Sequence, residues 1–128
     1  MSKIIVNKIN LFDTDSINQY AFYYLGDSYR KTNNKLEAIN AFKSASVLNT
    51  DSLIQHDAFF QFVSLCYEQA NPLYNTIHYL NEFIENYPSS EHLDQVYAYL
   101  ANTYLNSYNY DEAIMTLEKS SFSDENMK

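Results

Sequence analysis

Apolar residues recur along this chain at intervals of three and four, the stripe of a helix rather than the alternation of a strand. Phe22, Leu25, Gly26 and Tyr29 fall on one helical face, and Ala38 and Phe42 follow on the next segment. The arrangement returns twice. Phe60-x2-Val63-Ser64-x2-Tyr67 leads to Thr76-x3-Leu80, and Tyr97-x2-Leu100-Ala101-x2-Tyr104 leads to Ala113-x3-Leu117. The copies start 38 and then 37 residues apart, and each has nine residues from the tyrosine to the small or hydroxyl residue that follows. Self-similarity at a fixed period marks a repeat array, in which each copy is one supersecondary unit. Each copy here reads as two helices. Gly26, Ser64 and Ala101 stand where two helix axes would cross closely, since a large side chain would hold them apart.

The pattern predicts seven helices, over about 3–12, 16–31, 35–48, 52–69, 72–86, 90–106 and 110–120. Ser16 with Gln19, and Ser52 with Gln55, have the form of capping boxes. Asn34 with Glu37, and Asn109 with Glu112, place a cap three residues before an acid that suits the helix dipole. Asn71-Pro72 reads as a cap with proline in the first turn. Pro88 ends a helix, and Ser89 or Ser90 can cap the next. Short loops make successive helices antiparallel neighbours. Residues 1–128 are read as one domain: a partial N-terminal repeat helix at 1–13, repeats at 16–50, 52–88 and 90–120, and a tail at 121–128. Ile5, Ile9 and Phe12 keep helical spacing, and Asp13-Thr-Asp-Ser16 echoes the junction Asn49-Thr-Asp-Ser52. Residues 1–12 therefore read as the second helix of a missing earlier copy, as in a chain cut from a longer solenoid.

The aromatic-x2-Leu-Gly-x2-Tyr run at Phe22 to Tyr29, with Ala38-x3-Phe42 after it, resembles the tetratricopeptide repeat. The resemblance covers roughly residues 16–120. The second copy has Thr76 and Leu80 for the small residue and the phenylalanine but keeps a terminal proline, Pro88. The first has Thr50 where that proline would stand. The run from Thr76 through Phe83 and Tyr87-Pro88 to Ser90 is similar to the longer repeats of bacterial envelope proteins, namely outer-membrane-assembly lipoproteins and periplasmic cell-division coordinators.

The resemblance implies an all-α fold, a right-handed α-solenoid of antiparallel helix pairs, with the first helix of each pair on the concave side. Projected onto that side are Tyr20, Tyr23, Asp27, Arg30 and Lys31 from the first copy. Ala58, Gln61, Leu65, Glu68 and Gln69 come from the second, and Gln95, Ala98, Asn102, Leu105 and Asn106 from the third. Amides pair with an extended peptide backbone, and tyrosine offers area at low entropic cost. Repeats that clamp chaperone tail carboxylates use Lys, Asn and Arg at groove positions filled here by Tyr23, Asp27, Phe62, Gln95 and Tyr99, which disfavours that use. Phe22, Phe42, Phe60, Tyr97, Tyr29, Tyr67 and Tyr104 are expected in the core. Tyr20, Tyr23, Tyr24, Phe59, Phe62, Tyr99, Tyr108 and Tyr110 lie off the strict stripe, so some of them must be exposed.

Charge narrows the partner. The chain of 128 residues carries a formal charge of −8. Residues 44–118 hold ten acids and no Lys or Arg, while residues 1–43 hold six basic residues against four acids. Such a surface repels phosphates, so nucleic acid is not an expected partner. One Gly and two Pro argue against a β-sandwich, a Rossmann unit or a phosphate-binding loop. The single cysteine, Cys66, excludes an internal disulfide. It precedes Tyr67 in a helix, as a packed small hydrophobe would. Ile4 to Val6 are too few for a signal h-region, which suggests a cytoplasmic chain, or a periplasmic one if this is a mature or excised piece.

His56, His78 and His92 fall in different repeats without metal-ligand spacing. His78 and Glu82, four apart on one helix, read as a solvated pair. Asp111-Glu112 suits a helix start. No catalytic residues, cofactor or metal are expected, and an enzyme with a metal-assisted site at His78 or His92 is the least favoured reading. The favoured one is a non-catalytic protein–protein interaction scaffold that binds a peptide or a partner helix in the concave groove. The alternative is a structural or oligomerisation module of a larger, envelope-associated solenoid, self-associating through apolar end helices (Ile5, Ile9, Phe12; Ile114, Leu117).

Overall fold

The structure, a computed structural model, describes the backbone of residues 2–70 and 74–127 and the side chains of residues 14–70 and 74–120. Six helices appear among the described residues: α1 (Ser2–Lys31), α2 (Lys35–Ser46), α3 (Ser52–Gln69), α4 (Thr76–Asn86), α5 (Leu93–Asn106) and α6 (Tyr110–Met127). There is no strand among them. The architecture is the all-α helical repeat that the periodicity predicts. The chain divides into two compact units, Met1–Leu65 and Cys66–Lys128, with the division inside α3.

In the first unit, α1 and α2 close on each other at Gly26. A Cβ built there would stand 2.8 Å from Cδ1 of the Phe42 ring and 2.9 Å from two more of its atoms. Glycine is what lets the ring of α2 lie directly on the backbone of α1. Phe42 is 1% exposed. Ala38, Ile39, Ala41 and Ala45 complete the buried stripe of α2, and Ala58, Phe59, Phe62, Val63 and Leu65 are the buried apolar residues of α3 in this unit. In the second unit α5 packs against both α4 and α6. Leu80 and Phe83, Val96 with Leu100 and Ala101, and Ala113 are buried there.

The turns repeat along with the aromatics. α1 ends through Asn33 at φ 65°, and α5 ends through Tyr108 at φ 62°. The N–H of Asn34 reaches back to the Tyr29 carbonyl at 2.7 Å, and that of Asn109 to the Tyr104 carbonyl at 2.9 Å. Both are Schellman closures, in which a left-handed residue turns the chain out of the helix. Ala70, at φ 48°, is also left-handed at the end of α3, its N–H bonded to the Cys66 carbonyl at 3.0 Å. Asn33, Ala70 and Tyr108 lie 37 and 38 residues apart. The signature tyrosines thus supply the carbonyls that accept the closing bonds in the first and third copies.

Several expectations change. The helices expected at 3–12 and 16–31 are one helix, α1, so there are six helices among the described residues rather than seven. Asp13-Thr-Asp-Ser16 contains weak helix formers but no Gly or Pro, and nothing in it forces a break. Ser16 therefore caps nothing. The carboxylate of Asp51, not a Ser52–Gln55 box, caps α3, accepting from the N–H groups of Leu53 (3.0 Å) and Ile54 (3.2 Å). The side chain of Gln55 turns back instead, donating to the Ser46 carbonyl at 3.1 Å and Asn49 Oδ1 at 2.7 Å. Asn34 precedes α2 without a side-chain cap bond, and its amide donates to Thr32 Oγ1. The Asn71-Pro72 cap lies outside the described residues. α4 starts at Thr76, capped by Asn75, whose side chain accepts from His78 N–H at 3.1 Å. α5 begins at Leu93, after a turn in which Ser90 Oγ accepts from His92 N–H.

Of the signature aromatics, Phe42 alone is fully buried. Phe22, Tyr29, Phe60, Tyr67, Tyr97 and Tyr104 are half-buried, whereas the off-stripe Phe59 and Phe62 are in the core. The signature marks the face a helix turns to its hairpin partner. It does not mark the flank of α3, where Lys43 of α2 lies over the Phe62 ring at 5.8 Å.

Two substitutions check this packing. Phe42→Ala removes a fully buried ring and should cost about 3–5 kcal/mol in urea denaturation. Tyr108 is 77% exposed, so Tyr108→Gly loses little burial while relieving left-handed strain, and should raise stability by about 1 kcal/mol.

Candidate functional site

The first helices of successive copies meet through polar side chains. In the first unit the Tyr23 phenol donates to Asp57 Oδ2, linking α1 to α3. Two turns further along α1, the Arg30 guanidinium donates to Gln61 Oε1 at 3.2 Å and to Asp27 Oδ1 at 2.8 Å. Lys31 Nζ takes the other Asp27 oxygen at 2.9 Å. Lys31 and Arg30 hold the Asp27 carboxyl below the usual carboxylate range, chiefly by hydrogen bonding and with Lys31 the larger influence. Tyr23 is pushed above the usual tyrosine range, first by burial, then by its bond to Asp57 and by that carboxylate's charge.

In the second unit the same kind of contact joins the end of α3 to α5. Asn102 Nδ2 donates to the Tyr67 phenol oxygen at 3.2 Å, and the Tyr67 and Tyr99 rings stack with centroids 4.2 Å apart. In the first unit Tyr20 stacks with Tyr24 on α1 at 6.1 Å.

The structure places the anticipated surface residues as follows. Tyr20 and Arg30 are exposed, and Tyr23, Asp27 and Gln61 are half-buried in the α1–α3 polar row. In the second unit Gln95 and Asn102 are exposed. Glu68 and Ala98 lie on the same helices, α3 and α5. Leu65 is a correction: it is buried, as is Ala58. The apolar run Phe62-Val63, one turn before Leu65, turns α3 further into the core than the repeat register implies.

Three participants are not legible as such in the sequence. Asp57 reads there as an acid without a role. Tyr67 reads as a core residue, yet its phenol serves Asn102. Gln19 reads as part of a cap, yet it is fully buried. Its Nε2 donates to the Ala45 and Leu48 carbonyls at 3.3 and 2.6 Å, and its Oε1 accepts from Thr50 Oγ1 at 2.6 Å and Asp51 N–H at 2.9 Å. All of the amide's main capacity is used, and α1 is tied to the turn between α2 and α3. The recurrence of Thr-Asp-Ser-x-x-Gln at both 14–19 and 50–55 is the available signal.

His78 Nε2 lies 3.5 Å from Glu82 on an exposed face, and Cys66 is buried. Among the described residues no group of three or more His, Cys, Asp or Glu side chains is placed to hold a metal ion. No described helix is long and apolar enough to cross a membrane.

Tyr23 gives a pH test with a definite sign. The folded state favours the neutral phenol, so its contribution is complete below about pH 10, where an unfolded tyrosine ionises, and is lost as pH rises above it. Tyr23→Phe should destabilise by about 1 kcal/mol near neutrality. The gap to the wild type in urea denaturation should stay constant up to about pH 10, tyrosine's ordinary pKa, and narrow only above it. Parallel curves would show that the phenol is not held by Asp57.

A family model described as tetratricopeptide repeat matches residues 20–46, the end of α1, its turn and α2. No curated protein and no solved structure matches the chain.

Proposed function

We propose, on the premise that residues 20–46 carry a tetratricopeptide repeat, that the chain is a non-catalytic scaffold holding a peptide or partner helix against the exposed side of its first helices. Tetratricopeptide repeats generally mediate protein–protein interaction, and this reading assigns that task to Tyr20, Tyr23, Asp27, Arg30 and Gln61 in the first unit. In the second unit, taken by itself, it assigns the same task to Glu68, Gln95, Ala98 and Asn102.

One observation carries the reading. The Asp27–Arg30–Gln61 row is fixed by its own hydrogen bonds while the Arg30 side chain stays 43% exposed. Side chains ordered before a partner arrives lose less entropy on binding. Tyr20, two turns before Asp27 on α1, is an exposed ring of the kind that anchors interfaces. The amides of Gln61, Gln95 and Asn102 can pair with the backbone of an extended peptide.

The test is capture of a partner on immobilised protein, identification by mass spectrometry, and titration of that partner against variants. Tyr20→Ala combined with Gln61→Ala should weaken binding at least about tenfold with the helical circular dichroism unchanged. Leu53→Ala, at a residue exposed near the start of α3, should not. Equal affinity of both variants would refute the assignment to this face.

A further inference from the structure

The first hairpin leaves uncovered an apolar face that α3 has covered. α1 and α2 frame a cleft of about 270 Å³ whose lining includes Phe22, Leu25, Tyr29, Ala41 and Glu37. Leu25 is 43% exposed, and Tyr24 beside it 61%. The same repeat positions in α3, 38 residues on, are Val63 and Phe62, both fully buried. There, the second helix of the preceding pair lies alongside, with Lys43 of α2 over the Phe62 ring at 5.8 Å. None of the described residues covers Tyr24 and Leu25 to that extent.

The sequence contains a segment suited to that cleft. Residues 4–12 have apolar positions at 5, 9 and 12, with Lys8 to set against Glu37. They also stand in the right place in the repeat. Asp13-Thr-Asp-Ser16-x-x-Gln19 matches Asn49-Thr-Asp-Ser52-x-x-Gln55, which joins α2 to the helix that α2 covers. In the structure, however, residues 2–31 form a single helix. At 1.5 Å per residue α1 is about 45 Å long and the 12-residue α2 about 18 Å. A segment cannot lie across the flank of the straight helix it belongs to, so without a new turn the only cleft of this kind within its reach is on another molecule.

We propose that two copies of this chain associate by reciprocal exchange, residues 4–12 of each α1 occupying the Phe22–Leu25–Ala41 cleft of the other. Straightening a segment that would otherwise turn back is how identical elements are exchanged between protomers, and the resulting interface is two-fold and self-complementary. The inference is independent of the binding face proposed above, and either can fail alone.

Light scattering of the full chain over a wide concentration range tests it, with Leu25→Asp in the cleft and Ile9→Lys in the segment. The wild type should be dimeric at high concentration. Each variant should dissociate at least about tenfold more readily while keeping its helical circular dichroism. An equimolar mixture of the two variants should recover dimer, because one of its two exchanged contacts is wild type and the other sets the introduced lysine against the introduced aspartate. A monomer at every concentration overturns the proposal. If that monomer is also destabilised by Ile9→Lys, the segment covers its own cleft by turning at 13–15. A dimer indifferent to both variants overturns it as well.

Discussion

The Phe42 ring lies on the backbone of α1 at Gly26, closer than any side chain there would allow, and this contact fixes what the rest of the first unit can do. Glycine within a helix costs about 0.5–1 kcal/mol relative to alanine. Full burial of the ring returns about 1.5–3 kcal/mol, so the close approach is net favourable. It also sets the rotation of α1. With Gly26 turned to α2, Tyr23 sits at the edge of the same ring, 5.9 Å between centroids and steeply inclined. Its phenol then points to α3, where Asp57 receives it. Leu25 and Tyr24 are left on the flank.

Polar side chains then specify how α3 joins the pair. Gln19 alone satisfies two carbonyls, a hydroxyl and an N–H around the α2–α3 turn. A buried amide so fully bonded selects one arrangement, because any shift strands several groups in a place where an unmet hydrogen bond is expensive. The Asp27–Arg30–Gln61 row is different in kind. Exposed ion pairs contribute little to stability, and its effect is to hold two long side chains still at the surface. Order at low energetic weight is a property of recognition surfaces more than of cores.

The fold is largely legible in the sequence because the repeat signature reports contacts within a hairpin. Gly26 with Phe42 is such a contact, and so are the tyrosine carbonyls of Tyr29 and Tyr104 that receive the turn. What the signature does not encode is easily misread. Phe59 and Phe62 are buried, with Lys43 of α2 over the Phe62 ring, so their place off the stripe is misleading. Leu65 projects onto the surface by register and is buried as well. The turn residues escape because Ala70 and Tyr108 adopt left-handed geometry without glycine. The expected break in α1 rests on a junction whose Asp51 caps a helix in one copy, while its counterpart Asp15 lies within a helix. The candidate surface is legible in part: Tyr23, Asp27, Arg30 and Gln61 line one polar row, but the acceptor Asp57 carries no mark of its role.

Charge constrains how such a surface could recognise anything. The basic residues Arg30 and Lys31 both engage Asp27, so the one cationic edge of the projected face is partly neutralised from within. Beyond it, residues 44–118 offer no Lys or Arg at all. An acidic partner would meet repulsion along most of that length, and a basic one would be drawn to it over distances set by the salt concentration. Long-range attraction raises association rates more than it deepens the bound state. Under the proposed function, short-range groups would slow dissociation, and each unit has its own: the Tyr20 ring and the Gln61 amide in the first, the Tyr67 and Tyr99 rings and the Gln95 and Asn102 amides in the second. On that proposal, selectivity within each unit falls to shape and hydrogen bonding, while the acidic charge disfavours polyanions.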